Sequence, residues 1–159
     1  MISTPTVSTE TLDRYADLAL RVGLGLQPGQ PLLVRSSIAG ASLARSVVRQ
    51  AYQLGSGQVS VLYGDAEVSR ARLRHARDEV LEEYPSWQAH AMNETIPSGT
   101  AVLSISAEDP DVFAEEDPHR VAVTQNAARR HLKPFYEGIG RSATNWCIVR
   151  MPVPQWAEK

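Results

Sequence analysis

At 159 residues, with 43% hydrophobic and 21% charged content and a formal net charge of −2, the chain suits one full soluble domain and is too short for two ordinary ones. That charge gives no reason to expect nucleic acid or an anionic membrane as a main partner, and a lone cysteine, Cys147, excludes an internal disulfide or a Cys-based zinc site. No leader-like segment opens the sequence and no apolar run nears the roughly 20 residues of a membrane span, so a cytoplasmic, reduced protein is expected.

The first periodic segment is STETLDRYADLALRVGL. Leu12, Tyr15, Ala16, Ala19 and Val22 recur at the spacing of one helix face. Ser8 or Thr9 suits its cap, Glu10 its positive end, and Gly23 or Gly25 its stop. After the turn at QPGQ, PLLVRSS reads as a first strand. In GASLARSVVRQAYQLG, Leu43, Ala44, Val47, Val48, Ala51 and Leu54 form a helical stripe that Gly55 would close. GQVSVLYGD alternates Val59, Val61 and Tyr63, a second strand.

Two helices are predicted next, over 65–77 and 78–95, the second restarted at Pro85. GTAVLSISAE is a third strand, and DPHRVAVTQNAARRHLKPFYEGI one long helix capped by Asp117 with Pro118 in its first turn. In NWCIVRMP the apolar run Trp146, Cys147, Ile148 and Val149 predicts a buried fourth strand. Alternating strands and helices give an α/β, doubly wound, Rossmann-like arrangement: a mostly parallel sheet of about four strands with helices on both faces. Residues 1–151 form a single domain in this reading. Residues 152–159, with Pro152, Pro154 and Trp156, begin a linker. So small a sheet leaves an edge that a neighbouring domain or subunit could cover.

The motifs offer little chemistry. GLGLQPG has glycines, but a helix enters it and a strand leaves, the reverse of a dinucleotide-binding turn, so its glycines serve as a helix stop and a turn. GASLA approaches a nucleophile elbow around Ser42. Yet Ser37, Ile38 and Ala39 separate it from the strand, and helix capping is the ordinary role of such a serine. Cys147 lacks a flanking cation to lower its pKa. None of His75, His90, His119 and His131 has a second histidine at i+3 or i+4. Arg70, Arg74 and Arg77 share a helical face, and the acidic Asp78, Glu79, Glu82 and Glu83 that follow point to a solvated, self-compensating surface.

One constellation follows from the fold. In doubly wound sheets ligands bind outside the carboxyl ends of the strands. The candidate substrate- or domain-facing residues there are Arg35, Ser36, Asp65, Glu108, Asp109 and Arg150, of which Asp65 and Asp109 equally suit helix caps.

Several stretches together resemble the two-domain metallo-aminopeptidases of the thermophilic type, aminopeptidases T, S and II. They run in order from LDRYADLALRVGLGLQPGQPLLVRSSI through AYQLGSGQVSVLYGD and ARLRHARDEVLEEYPSW to GTAVLSISAEDPDVFAEEDPHRVA and WCIVRMPVPQWA. The resemblance implies that this is the family's N-terminal α/β domain. It also implies that the catalytic set, paired glutamates, histidines, an aspartate and a tyrosine around two divalent ions of zinc or cobalt type, lies in a C-terminal domain. No catalytic or metal residue is then expected among these 159. The expected partners are that catalytic domain, a second subunit in a homodimer, and peptide substrates. The alternatives are a stand-alone Rossmann-like binding module without peptidase activity and a small hydrolase using Ser42.

Overall fold

The computed structural model describes residues 7–107 and 111–152. The chain divides into two compact units, one from 1–64, 100–109 and 145–159, the other from 65–99 and 110–144. The first holds the sheet: β1 (Leu32–Ser37), β2 (Val59–Gly64), β3 (Ala101–Ser106) and β4 (Trp146–Arg150), in the order β2-β1-β3-β4. All pairings are parallel, with Val34 opposite Val61 and Leu103, and Leu103 opposite Cys147. Growth to one side for β2 and to the other for β3 and β4 makes this a doubly wound α/β fold, as expected.

α1 (Thr9–Leu18) begins where Ser8 Oγ accepts from the Thr11 N–H at 3.2 Å. It runs into a π-helical turn, Ala19–Leu24, closed by Gly25 in the left-handed conformation (φ 63°). That turn corrects the expected stripe. Its i→i+5 bonding changes the angular step per residue, so Leu20 and Leu24 are buried whereas Val22 is 75% exposed. α2 (Ala41–Gln53) follows a single 3₁₀ turn at Ile38–Gly40. Leu12, Ala16 and Leu20 pack with Leu43, Ala44 and Val47 against Leu32, Val34, Leu103 and Ile105, one continuous core on one sheet face. Each such large aliphatic side chain contributes about 1.5–3 kcal/mol on burial.

β4 departs from its reading as a buried strand. Cys147 and Val149 face the core, but Trp146 and Ile148 are 41% and 60% exposed. A run apolar on both faces predicts a strand covered on both, whereas among the described residues β4 ends the sheet and its outward face is partly uncovered.

The second unit is helical: α3 (Ala66–His75), α4 (Asp78–Leu81), α5 (Ser86–Glu94), α6 (Pro118–His131) and α7 (Lys133–Gly140). Asp117 caps α6, accepting from the His119 N–H at 2.8 Å. The single helix expected over 117–139 is two helices. Pro134 lacks the N–H that an unbroken ladder needs and is tolerated only in a first turn, so the chain breaks at Leu132 and restarts.

Arginines tie this unit together. Arg120 donates to the carbonyls of Leu73 (2.6 Å) and Ala76 and pairs with Asp78. Arg72 donates to the carbonyls of Val80 (2.8 Å) and Glu83 (2.7 Å). Arg74 grips Glu116 with two bonds, at 2.6 and 3.0 Å, and Arg70 pairs with Glu67 at 2.6 Å. The arginine face of α3 is thus compensated mainly by Glu116 and Glu67 rather than by the acidic run that follows it.

The Arg74 hydrogen bond, reinforced by the charges of Arg74 and Arg70, holds the buried Glu116 carboxyl below its usual range. A carboxylate more acidic in the folded chain than in the unfolded one stabilises the fold above the ordinary value of 4.5, and that contribution fades as pH falls through the folded value. Urea midpoints should therefore fall between pH 6 and pH 3, and Glu116→Gln should flatten that dependence while lowering the neutral-pH midpoint. An unchanged pH profile in the variant would contradict the assignment.

Candidate functional site

The reversal of strand order falls between β1 and β3, so the carboxyl ends of these strands flank the one switch point of the sheet. Period-two alternation sorts their side chains. Ser36 lies on the core face with Val34. Arg35 and Ser37 turn to the opposite face, with Ser104 and Arg150 on the neighbouring strands. In register Arg35 stands opposite Ser104, and Ser106 opposite Arg150, so the two arginines share a face but lie in different rows, two strands apart.

Ser36 is buried and donates from Oγ to the Ser37 carbonyl at 2.8 Å. Gly40 closes over it. A Cβ there would lie 2.4 Å from Ser36 Oγ, 3.0 Å from Ile105 Cγ2 and 3.2 Å from Ala107 Cβ. The core side of the switch-point crevice is therefore filled by the chain's own 3₁₀ turn, which only glycine permits at this approach.

Asp65 caps α3, its Oδ1 accepting from the Glu67 N–H at 2.8 Å, and so takes the helix-cap role that its position allowed. Glu108 and Asp109 lie outside the described residues, as does Trp156. Arg150 ends β4, and its carbonyl accepts from the Tyr15 hydroxyl at 3.0 Å. The edge thus brings Arg35, Ser104, Ser106 and Arg150 to one sheet face, with Ser37 buried on that face beside Arg35. Gly40 was not read from the sequence as part of this region, although a glycine just after a strand that feeds a helix is the signal for close backbone approach.

Ser42 is not the cap of α2. That position is Gly40, and Ser42 sits in the first turn with Oγ 3.7 Å from Met151 Sδ. No His, Asp or Glu bonds it among the described residues, which leaves it without the geometry of an activated nucleophile. Burial pushes the Cys147 thiol above its usual pKa, the reverse of an activated thiolate. A shallow groove of about 1060 Å³ along α1 is lined by Glu10, Asp13, Arg14, Asp17 and Arg21, among others. Within it Arg21 pairs with Asp17 at 2.7 Å, and Asp13 pairs with Arg49 of α2 at 2.6 Å.

The described residues do not fit a two-metal centre. His131 stacks on Tyr84 and has Nδ1 at 3.0 Å from the Ala127 carbonyl. No three His, Cys, Asp or Glu side chains converge among the described residues. No helix among them is long and apolar enough to cross a membrane.

Comparison with known proteins supplies what the geometry alone does not. Aminopeptidase 2 of Geobacillus stearothermophilus is 36% identical over 148 residues, 93% of this chain but 36% of its own length. Aminopeptidase T of Thermus thermophilus is 36% identical over 146 residues, and aminopeptidase AmpS of Bacillus subtilis 32% over 151, again covering 36% and 37% of those proteins. The structure of wild-type AmpT from Thermus thermophilus superposes with a TM-score of 0.87 over 94% of this chain and 38% of that one. The chain therefore spans little more than a third of the relatives it matches. Since the thermophilic metalloprotease (M29) family model matches residues 8–159, nearly the whole sequence, the chain belongs to that family.

Proposed function

We propose that residues 1–151 are the N-terminal, non-catalytic domain of a metal-dependent aminopeptidase and that 152–159 begin the linker to its catalytic domain. One observation carries this reading: the chain is matched almost end to end by aminopeptidases of which it covers about 36%. Two divalent ions of zinc or cobalt type, and the hydrolysis of N-terminal residues from peptides, then belong to the C-terminal part. The domain shapes substrate access and the packing of a homodimer in the cytoplasm. Of its strand-end residues, Arg35 and Arg150 face the substrate or the catalytic domain, and Glu108 and Asp109 belong to the same edge in this reading, whereas Ser36 is turned into the core and Asp65 caps α3.

The test uses leucyl p-nitroanilide with added zinc or cobalt. The 159-residue protein should release no p-nitroaniline above the metal blank. A chimera in which this chain replaces its matching segment in Thermus thermophilus aminopeptidase T should release it. Metal-dependent release by the 159 residues alone, or a folded chimera without activity, would overturn the reading.

A further inference from the structure

We propose that the outer edge and outward face of β4 receive the polypeptide that follows this segment in the aminopeptidase relatives, as an added strand with an apolar side. The inference rests on the reading of the chain as an aminopeptidase N-terminal domain.

Among the described residues β4 pairs on one side only, with β3. A parallel strand sends the N–H and C=O of alternate residues to opposite neighbours. The Asn145 carbonyl accepts from the Val102 N–H at 2.9 Å, and the Met151 N–H donates to the Ser106 carbonyl at 3.0 Å, so the odd-numbered positions serve β3. The backbone groups of Trp146, Ile148 and Arg150 then face away from β3. Of these, the Arg150 carbonyl accepts from the Tyr15 hydroxyl of α1 at 3.0 Å. At Trp146 and Ile148 the outward backbone therefore coincides with exposed apolar side chains, 41% and 60% accessible and two residues apart on one face.

Unpaired backbone beside an exposed Trp and Ile is the surface that sheet proteins ordinarily blunt with charge, proline or a bulge. Here the opposite, core-facing side of the strand is well packed, with Cys147 and Val149 in the core. The uncovered side is therefore local to the edge and not a sign of a loose strand.

The occupant follows from chain order. Beyond the switch point the sheet grows outward in sequence, β1, β3, β4, so the next strand of a doubly wound sheet adds at β4. β4 ends at Arg150 and the family match runs to residue 159, while the matched relatives have nearly two thirds of their length outside the match. The chain that continues from β4 leaves at the end of the strand whose edge is open. An extended segment with alternating apolar residues would satisfy both the backbone and the side chains of Trp146 and Ile148.

Amide hydrogen exchange tests this without relying on activity. In the 159-residue protein the Trp146 and Ile148 amides should exchange within about tenfold of an unstructured peptide, and those of Cys147 and Val149 far more slowly. In the chimera the first two should slow by at least about 100-fold, and Ile148→Glu should undo that slowing while leaving the thermal midpoint of the 159-residue protein unchanged. Fast exchange at both positions in an active chimera overturns the docking surface and leaves the aminopeptidase reading standing. A folded but inactive chimera overturns that reading instead. Protection that appears in the 159-residue protein as its concentration rises assigns the edge to a second copy and also overturns the inference. Should the chimera not fold, the same measurement is made on Thermus thermophilus aminopeptidase T at the positions aligned with Trp146 and Ile148, where unprotected amides overturn it.

Discussion

Leu103→Ala is expected to lower the unfolding free energy by about 3–5 kcal/mol, the upper part of the range for removing a buried leucine. The side chain is fully buried in β3, between Val34 of β1 and Cys147 of β4, and backed by the core side chains of α1 and α2. Strands on both sides fix the backbone, so the site cannot collapse around the space left behind. The transfer cost of the lost carbons and the cost of the cavity then add. With a urea slope of about 2 kcal/mol/M, the midpoint should drop by about 1.5–2.5 M. Leu103→Met, which keeps the volume, should cost less than about 1.5 kcal/mol. Equal losses in the two variants would show that shape rather than burial dominates there.

Gly40→Val should cost about 3 kcal/mol or slightly more, close to the upper end for overpacking a tight site. The new Cβ alone would sit 2.4 Å from Ser36 Oγ and 3.0 Å from Ile105 Cγ2. Ser36 can rotate away only by giving up its bond to the Ser37 carbonyl inside a buried region, and Ile105 and Ala107 are core residues that cannot retreat. Gly40→Ala should show a smaller loss of the same sign. Ser36→Ala combined with Gly40→Ala should recover part of it, because the 2.4 Å contact is then gone. A Gly40→Val protein that melts with the parent would mean that the 3₁₀ turn is not wedged between β1 and β3.

Much of this fold was legible because local signals agreed with tertiary needs. Strands rich in valine, leucine and isoleucine lay between turn residues, and Ser8, Asp65 and Asp117 cap the helices that their positions indicated. The misreadings arose where packing overrode pattern. Val22 keeps α-helical spacing from Leu12, but a π turn carries it to the surface. Trp146 and Ile148 read as interior by composition, yet composition cannot say that their strand lies at an edge. Pro134 did carry a readable warning, because a helix interior rejects its ring. Glu116 could not be matched to Arg74 from sequence, since 42 residues separate two side chains that only the fold brings together.

The candidate site was legible only as a place. Strand ends in an alternating α/β chain locate it, whereas Gly40 and the inward turn of Ser36 decide what is open there. Its chemistry was not readable from spacing, because side chains that could carry it serve structure instead: His131 stacks on Tyr84, Asp65 caps α3 and Glu116 pairs with Arg74.

The sheet-bearing unit is assembled from three stretches of chain separated by the two stretches of the helical unit. During synthesis this makes the order of arrival a constraint. β1 leaves the ribosome before β3, and β4 follows only after α6 and α7 have been made. At ordinary translation rates roughly 5–20 s separate β1 from β4. Throughout that interval the nascent sheet lacks its last strand, and once β3 is made its edge toward β4 is unpaired until Trp146 to Arg150 follow. Parallel pairing across such long loops is also intrinsically slow. A newly made chain should therefore be most vulnerable to aggregation, and most dependent on chaperone holding, just before Asn145 emerges.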